Sequence, residues 1–315
     1  MDNNVGKRVE WLDVAKGMAI ILVVLGHSSL PAVLNRYIFA FHMPFFFFAS
    51  GYTSDFNKYS LEEYICRKAK VLLLPFFIYS VINLILQPYV SDLTYQEYWM
   101  HFLLKGWLAV PLWFVPVLFI ALLIAKLVFM IENRIMRLVL ICLLPSFSAV
   151  LKYLDIWLPW NISVVPYASF LIVTANYFKR YYKSSFFDET NYKLLLMIVC
   201  MSATFGISYY WKLDLCWNNI LPLIPLLVGA IAGSIFLSLS AMLIVKYSKH
   251  IKKILVSIGR ETYLILAFAE VTIVYLNYYF TLNSAIKYIL LIFIVFLLCR
   301  IKKVLLRFVK KTNEK

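Results

Sequence analysis

Charge is scarce in this chain, and acidic charge scarcer still. Charged residues make up 15% of the 315 positions, with 16 Asp and Glu against 31 Lys and Arg, while 63% are apolar. A soluble domain runs at about 45–50% apolar and about 25% charged. This composition leaves too little polar surface for water, so the solvent must be lipid. Cysteine is sparse too: Cys66, Cys142, Cys200, Cys216 and Cys299 lie far apart, with no CxxC spacing, which excludes a disulfide framework. The histidines are too scattered for a metal centre, because His101 and His250 fall on opposite sides of the membrane in the threading below. No GxSxG, HExxH, phosphate-cradling glycine loop or dinucleotide fingerprint is present. The formal charge of +15 comes from short basic runs between long apolar stretches. With no basic domain, no zinc-finger and no RNA-binding signature, nucleic acid is not an expected partner.

What the chain does have is apolar runs of helical length. A membrane-spanning helix takes about 20 mostly apolar residues. Ten spans are expected, near 10–30, 36–55, 71–89, 107–130, 136–152, 161–178, 193–210, 219–245, 254–276 and 284–300. The expected fold is all-α integral membrane, a single domain over residues 1–315 forming a bundle of about ten transmembrane helices in the cell membrane. The first run is interrupted by Asp13 and Lys16 and has no small-x-small cleavage site, so it is expected to stay as a helix. With the N-terminus inside, cytoplasmic segments collect Lys7, Arg8, Lys58, Arg67, Lys68, Lys70, Arg134, Arg137, Lys179, Arg180 and the basic residues after Lys246 and Arg300. The outer ends hold only Arg36, Lys105, Lys152, Lys212 and Lys287. The positive-inside rule therefore predicts that both termini are cytoplasmic.

Ionisable residues within such spans are costly, so each is a functional candidate. The first span carries Glu10, Asp13, Lys16 and His27. At 100° per residue, Lys16 and His27 lie within about 20° of each other, Asp13 within about 60° of both, and Lys16 stands about 16 Å from His27 along the axis. Such a stripe needs a polar neighbour or a water-filled cavity. Alternatively, Asp13 and Lys16 form an interfacial i,i+3 pair, with Lys16 snorkelling to the headgroups; that leaves His27 unexplained. The second span opens RYIFAFHMPFFFFASGY, in which Pro44 predicts a kink and Ser50 and Gly51 close helix contact. The hairpin centre near residue 34 or 35 puts His27 and His42 at similar depth on adjacent antiparallel helices. Two imidazoles there form a candidate catalytic centre; the alternative is two structural histidines bonded to backbone carbonyls.

The stretch RVEWLDVAKGMAIILVVLGH, followed by FHMPFFFFASGY, resembles the start of integral-membrane acyltransferase family 3, in the branch of sugar O-acetyltransferases related to fucose 4-O-acetylases. The resemblance continues through LWFVPVLFI, LPWNISVVPYASFLIVTANYFKR and DLCWNNILPLIPLLVGAIAG. It implies transfer of an acyl group, usually acetyl, from cytoplasmic acetyl-CoA to a hydroxyl of an extracytoplasmic or lipid-linked carbohydrate, with no metal. The family's basic residue, ten residues and histidine fall on Lys16 and His27, lysine standing where arginine is common. By the same resemblance His27 is the base, His42 and Asp13 join Lys16 at the centre, and Arg8, Arg67, Lys68 and Lys70 hold the coenzyme A phosphates. Trp113, Asp214, Asn218 and Glu270 are the implied acceptor contacts. In the ninth span relatives often carry a histidine where SIGRETYLILAFAEV has Ala269 and Glu270. Direct transfer and an acetyl-imidazole intermediate are both open at this stage. The rival reading is a transporter or flippase for a lipid-linked sugar, whose expected internal repeat does not appear between the two halves.

Overall fold

The computed structural model describes residues 9–27, 30–86, 94–106, 110–181 and 190–279, with Leu290 and Phe293. The elements are α1 (Glu10–Gly26), α2 (Ala32–Phe39), α3 (His42–Thr53), α4 (Leu61–Lys68), α5 (Leu74–Leu86), α6 (Tyr95–Lys105), α7 (Phe114–Met130), α8 (Arg134–Tyr153), α9 (Val165–Tyr181), α10 (Thr190–Tyr210), α11 (Leu223–Tyr247), α12 (Lys249–Gly259) and α13 (Thr262–Tyr279). No strand occurs among the described residues; Asp214 and Asn219 form an isolated bridge. Among the described residues, seven helical stretches are long and apolar enough to cross a membrane, among them Ala32–Thr53, Leu61–Leu86 and Leu223–Tyr247. Helices α1 and α9 add 17 residues each. The protein is an all-helical membrane protein. The expected tenth span, 284–300, both termini and Arg8 lie outside the described segments.

Helix α1 is the axis of the bundle, packed against α3, α11, α12 and α13. Its buried face runs through Leu12, Ala15, Ala19, Ile20 and Val23. Around it, α3 packs on α9, α9 on α7 and α8, α10 on α11, and α5 on α13. The outer helices turn leucine, isoleucine and valine outward: Val71, Ile78 and Ile85, Ile135 and Leu138, Leu195 and Ile198 are all exposed. Such an apolar exterior suits hydrocarbon rather than water.

Three departures from the expected spans have local causes. The second span is two helices, because the chain bends at Ala40–Phe41. Pro44 then falls in the first turn of α3, where its missing N–H has no intrahelical acceptor to lose. The third span begins at Leu61 rather than near 71. Ser60 caps α4 by accepting the Glu63 N–H, and Glu62 and Glu63 favour the positive end of the helix dipole. A π turn, Ala69–Leu73, follows; Pro75 has no N–H to return to the preceding turn. Tyr263 donates its hydroxyl to the Leu72 carbonyl within this turn at 2.7 Å.

The expected ninth span, 254–276, is not one helix but two. Its first part, α12, presents Lys249, His250, Lys252 and Lys253 to one side and so does not enter hydrocarbon. Gly259 then lets the chain turn hard against α1, since a Cβ there would overlap the Asp13 carbonyl. Beyond the Arg260–Glu261 break, α13 descends into the bundle.

Candidate active site

The bundle has two chemically different ends. At the end where α1 begins, Lys252 pairs with Glu10 at 3.2 Å, and Arg260 stands 3.8 Å from the buried Asp13. There too Lys126, 5% exposed on α7, donates to the carbonyls of Phe56 at 2.6 Å and Tyr59 at 2.8 Å, fixing the turn between α3 and α4. Asn176 of α9 clamps the same turn through the carbonyls of Gly51 and Ser54. At the other end α2 meets the last turn of α10, where Arg36 donates to the Tyr209 carbonyl at 3.2 Å.

Between the ends lies a cavity of about 160 Å³ whose wall is shared by five helical segments. Lys16 and Ile20 come from α1, Ser50 and Phe46 from α3, Leu72 from the π turn, Phe114, Val115 and Leu118 from α7, and Thr262, Tyr263 and Leu266 from α13. Lys16 is its only formally charged lining residue. Residues three or four apart share a helical face, so each wall can be followed towards the far end. On α1, Lys16 and Ile20 lead through Val23 to His27. On α3, Ser50 and Phe46 lead to His42. On α13, Tyr263 and Leu266 lead to Glu270. From the π turn, Leu72 leads into α5 through Phe76 to the buried Ser80 and Asn83.

The two imidazoles flank one ring. Phe39 lies 6.0 Å from His27 and 4.8 Å from His42, centroid to centroid, and the histidines are close enough to act on each other electrostatically. His27 Nδ1 stands 2.8 Å from the Val23 carbonyl, and His42 Nδ1 the same distance from that of Ile38. A carbonyl only accepts, so in the neutral ring each Nδ1 carries the proton and each Nε2 keeps its lone pair free to accept. His27 is half-buried at the mouth of the site. His42 is 1% exposed, and its Nε2 has no hydrogen-bond partner among the described residues.

The α10–α11 connection forms the lid of this end. Lys212 lies over Phe39, 4.6 Å from its centroid, and pairs with Asp214 at 3.1 Å. Asp214 and Asn219 exchange backbone hydrogen bonds, closing a turn that holds Leu215 to Asn218. Cys216 within it is buried, and that burial, reinforced by the Asp214 and Glu270 carboxylates, pushes its thiol up. Glu270 is thus beside this turn, beyond the last cavity residue of α13.

Of the residues expected at the centre, the structure brings His27 and His42 together at one end, and of the expected acceptor contacts Asp214, Asn218 and Glu270 lie at that same end. Lys16 lines the cavity below them. Asp13 lies at the opposite end, held by Arg260, and does not approach either histidine. Arg67 is exposed, bonded to Glu63 at 2.9 Å and stacked 4.3 Å from the Tyr59 ring. Lys68 lies over Tyr64 at 5.3 Å, and Lys70 is exposed on the π turn, two residues before cavity-lining Leu72. Trp113 is 3% exposed and packs edge-on against Phe114, next to the cavity wall rather than in it.

Residues 9–301 match a family model described as an acyltransferase domain. The chain belongs to acyltransferase family 3. No curated protein sequence and no solved structure matches it. Sequence reasoning about this family 3 acyltransferase passed over Lys126, Lys212, Arg260 and Asn161. Lys126 carried a visible signal, a lysine inside ALLIAKLVFM. The other three lie at helix ends or in connections, where a polar residue is ordinary and only contacts distinguish it.

Proposed function

We propose that this protein is a membrane O-acetyltransferase. It carries an acetyl group from acetyl-CoA, entering at the Glu10 end, to a hydroxyl of a carbohydrate approaching the His27 end. The reading rests on one observation above the others. His27 offers a basic Nε2, set by its Nδ1 bond to Val23, at the top of a helical face whose foot is the Lys16 cavity. A thioester arm laid along that face has about seven residues, or about 10 Å, to cover between Ile20 and His27. Lys68 and Lys70 at the Glu10 end suit the anionic part of the donor, and the crowding of basic residues there suits a cytoplasmic face. The resemblance of the first two helices to sugar O-acetyltransferases favours acetyl as the group and carbohydrate as the acceptor.

In the proposed reaction His27 Nε2 removes the proton of the acceptor hydroxyl as its oxygen attacks the thioester carbonyl. The tetrahedral intermediate collapses with cleavage of the carbon–sulfur bond, and the imidazolium returns the proton to the departing thiolate. An acetyl-imidazole on His27 is the alternative order of the same bond changes. His27→Ala is expected to lower acetyl transfer about 10²- to 10⁴-fold with an unchanged thermal melt. Near-normal transfer by that variant would sink the assignment. Labelled protein recovered after incubation with radioactive acetyl-CoA alone would select the covalent order.

A further inference from the structure

Helix α12 carries more positive charge than the fold uses. Lys252 is tied to Glu10 at 3.2 Å, and Arg260, just past the helix, stands 3.8 Å from Asp13. Lys249 and Lys253 have no ion-pair partner among the described residues. Both are exposed, as is His250 between them. Lysines alone would need only water, but these share their helix with exposed isoleucines. Ile251 is 50% exposed and Ile254 61%, and Tyr247, at the end of α11, is exposed as well.

At 100° per residue the side chains of α12 sort into three sectors. Leu255 and Gly259 are buried against α1, with Lys252 beside them at Glu10. That seat is close: a Cβ on Gly17 would overlap the Leu255 carbonyl, and one on Gly259 the Asp13 carbonyl. The helix therefore cannot roll about its axis without lifting off α1. Ile251, Ile254 and Ile258 fill about 60° on one flank of the seat, and Lys249, Lys253 and His250 fill about 100° beyond them. A helix in water has no use for the isoleucine sector, and one sunk in hydrocarbon could not carry the lysine sector. Both are satisfied where α12 lies along the membrane surface, isoleucines towards the acyl chains and lysines level with the headgroups. Residues 246–259 hold four lysines and no Asp or Glu, so the headgroups they complement are anionic. A soluble phosphate ligand would match the lysines but leave the isoleucines uncovered.

We infer that α12 is an interfacial helix that binds anionic phospholipid through Lys249 and Lys253, with Ile251 and Ile254 set among the acyl chains. This surface is separate from the acetyl-transfer route, since none of these four residues lines the Lys16 cavity.

The deciding variant is Lys249→Gln with Lys253→Gln, which removes two exposed charges that pair with nothing in the fold and should leave the thermal melt unchanged. Full-length protein is placed in nanodiscs of phosphatidylcholine mixed with phosphatidylglycerol, and the lipids it retains on release are counted by native mass spectrometry. Wild type is expected to retain phosphatidylglycerol preferentially. A lysine at an anionic surface is worth about fivefold, so the double variant should lose at least about fivefold of that preference. Equal retention by the two proteins overturns the lipid site. Amide exchange of α12 supplies the second reading. It is expected to be slower in the mixed discs than in phosphatidylcholine alone for wild type, and faster in both for Ile251→Ser with Ile254→Ser. Wild-type exchange rates in that isoleucine variant would put α12 in water and overturn its interfacial placement. Slowing of α12 exchange by acetyl-CoA in phosphatidylcholine discs, lost in the double lysine variant, would assign the lysines to the donor instead and overturn the inference.

Discussion

Lys126 shows how a buried charge can serve the fold instead of the chemistry. Its ammonium is almost wholly enclosed and points at two carbonyls, those of Phe56 and Tyr59, in a turn that has left α3 and not yet begun α4. Hydrogen bonds from a charged donor are worth about 1.5–3 kcal/mol each, and a carbonyl stranded in the interior costs about as much as one. Lys126→Met keeps the length and apolar stem of the side chain and removes only the charge. It is expected to cost about 2–3 kcal/mol, read as a lower melting temperature in detergent, with acetyl transfer at low temperature near that of wild type. A collapse of transfer at full stability would move Lys126 into the reaction. The same comparison explains what single residues revealed in advance. His27 and His42 stood out because imidazole in an apolar run has few uses. Asn161 did not, since an asparagine after LPW reads as an ordinary turn residue until its amide is found buried.

At the scale of helices, composition was a better guide to existence than to continuity. The run 254–276 averages apolar enough to read as one span, but the average hides the change at Arg260. Before it, α12 carries lysines at 249, 252 and 253; after it, α13 is apolar through Leu264 to Ala269. What no hydropathy window registers is contact between backbones. Gly259 sits against the Asp13 carbonyl so closely that a methyl group has no room. Gly206, on α10, has nothing within 4 Å of where its Cβ would be. Gly259→Ala is therefore expected to push α12 off α1 at a cost of about 1–3 kcal/mol and to loosen the Asp13–Arg260 pair. Gly206→Ala should be neutral or gain up to about 1 kcal/mol from the restricted unfolded chain. Parallel melts of the two proteins read the difference directly, and equal melts would mean that α12 is not seated on α1.

Across the whole molecule, the proposed transfer demands that the two ends face different compartments. Lys58, Arg67, Lys70, Arg134, Lys179 and Lys193 gather with Lys246 to Lys253 at the Glu10 end, whereas the His27 end has Arg36, Lys105, Lys152 and Lys212, two of them tied to the Tyr209 carbonyl and Asp214. The cavity opens the route from the first end and the histidines close it at the second, so orientation decides which substrate meets which residue. One native thiol reports it. Cys66 is exposed on α4 at the Glu10 end, while Cys216 is buried at the other. Burial, with Asp214 and Glu270 nearby, also pushes the Cys216 thiol up, so it carries little thiolate and reacts slowly. In a Cys142→Ser, Cys299→Ser background, a membrane-impermeant maleimide is expected to label Cys66 in inverted vesicles and to spare it in intact cells. Labelling in intact cells would turn the bundle over. The Lys16 cavity would then open to the outside, where no coenzyme A thioester is supplied, and the donor and acceptor ends would have to be exchanged.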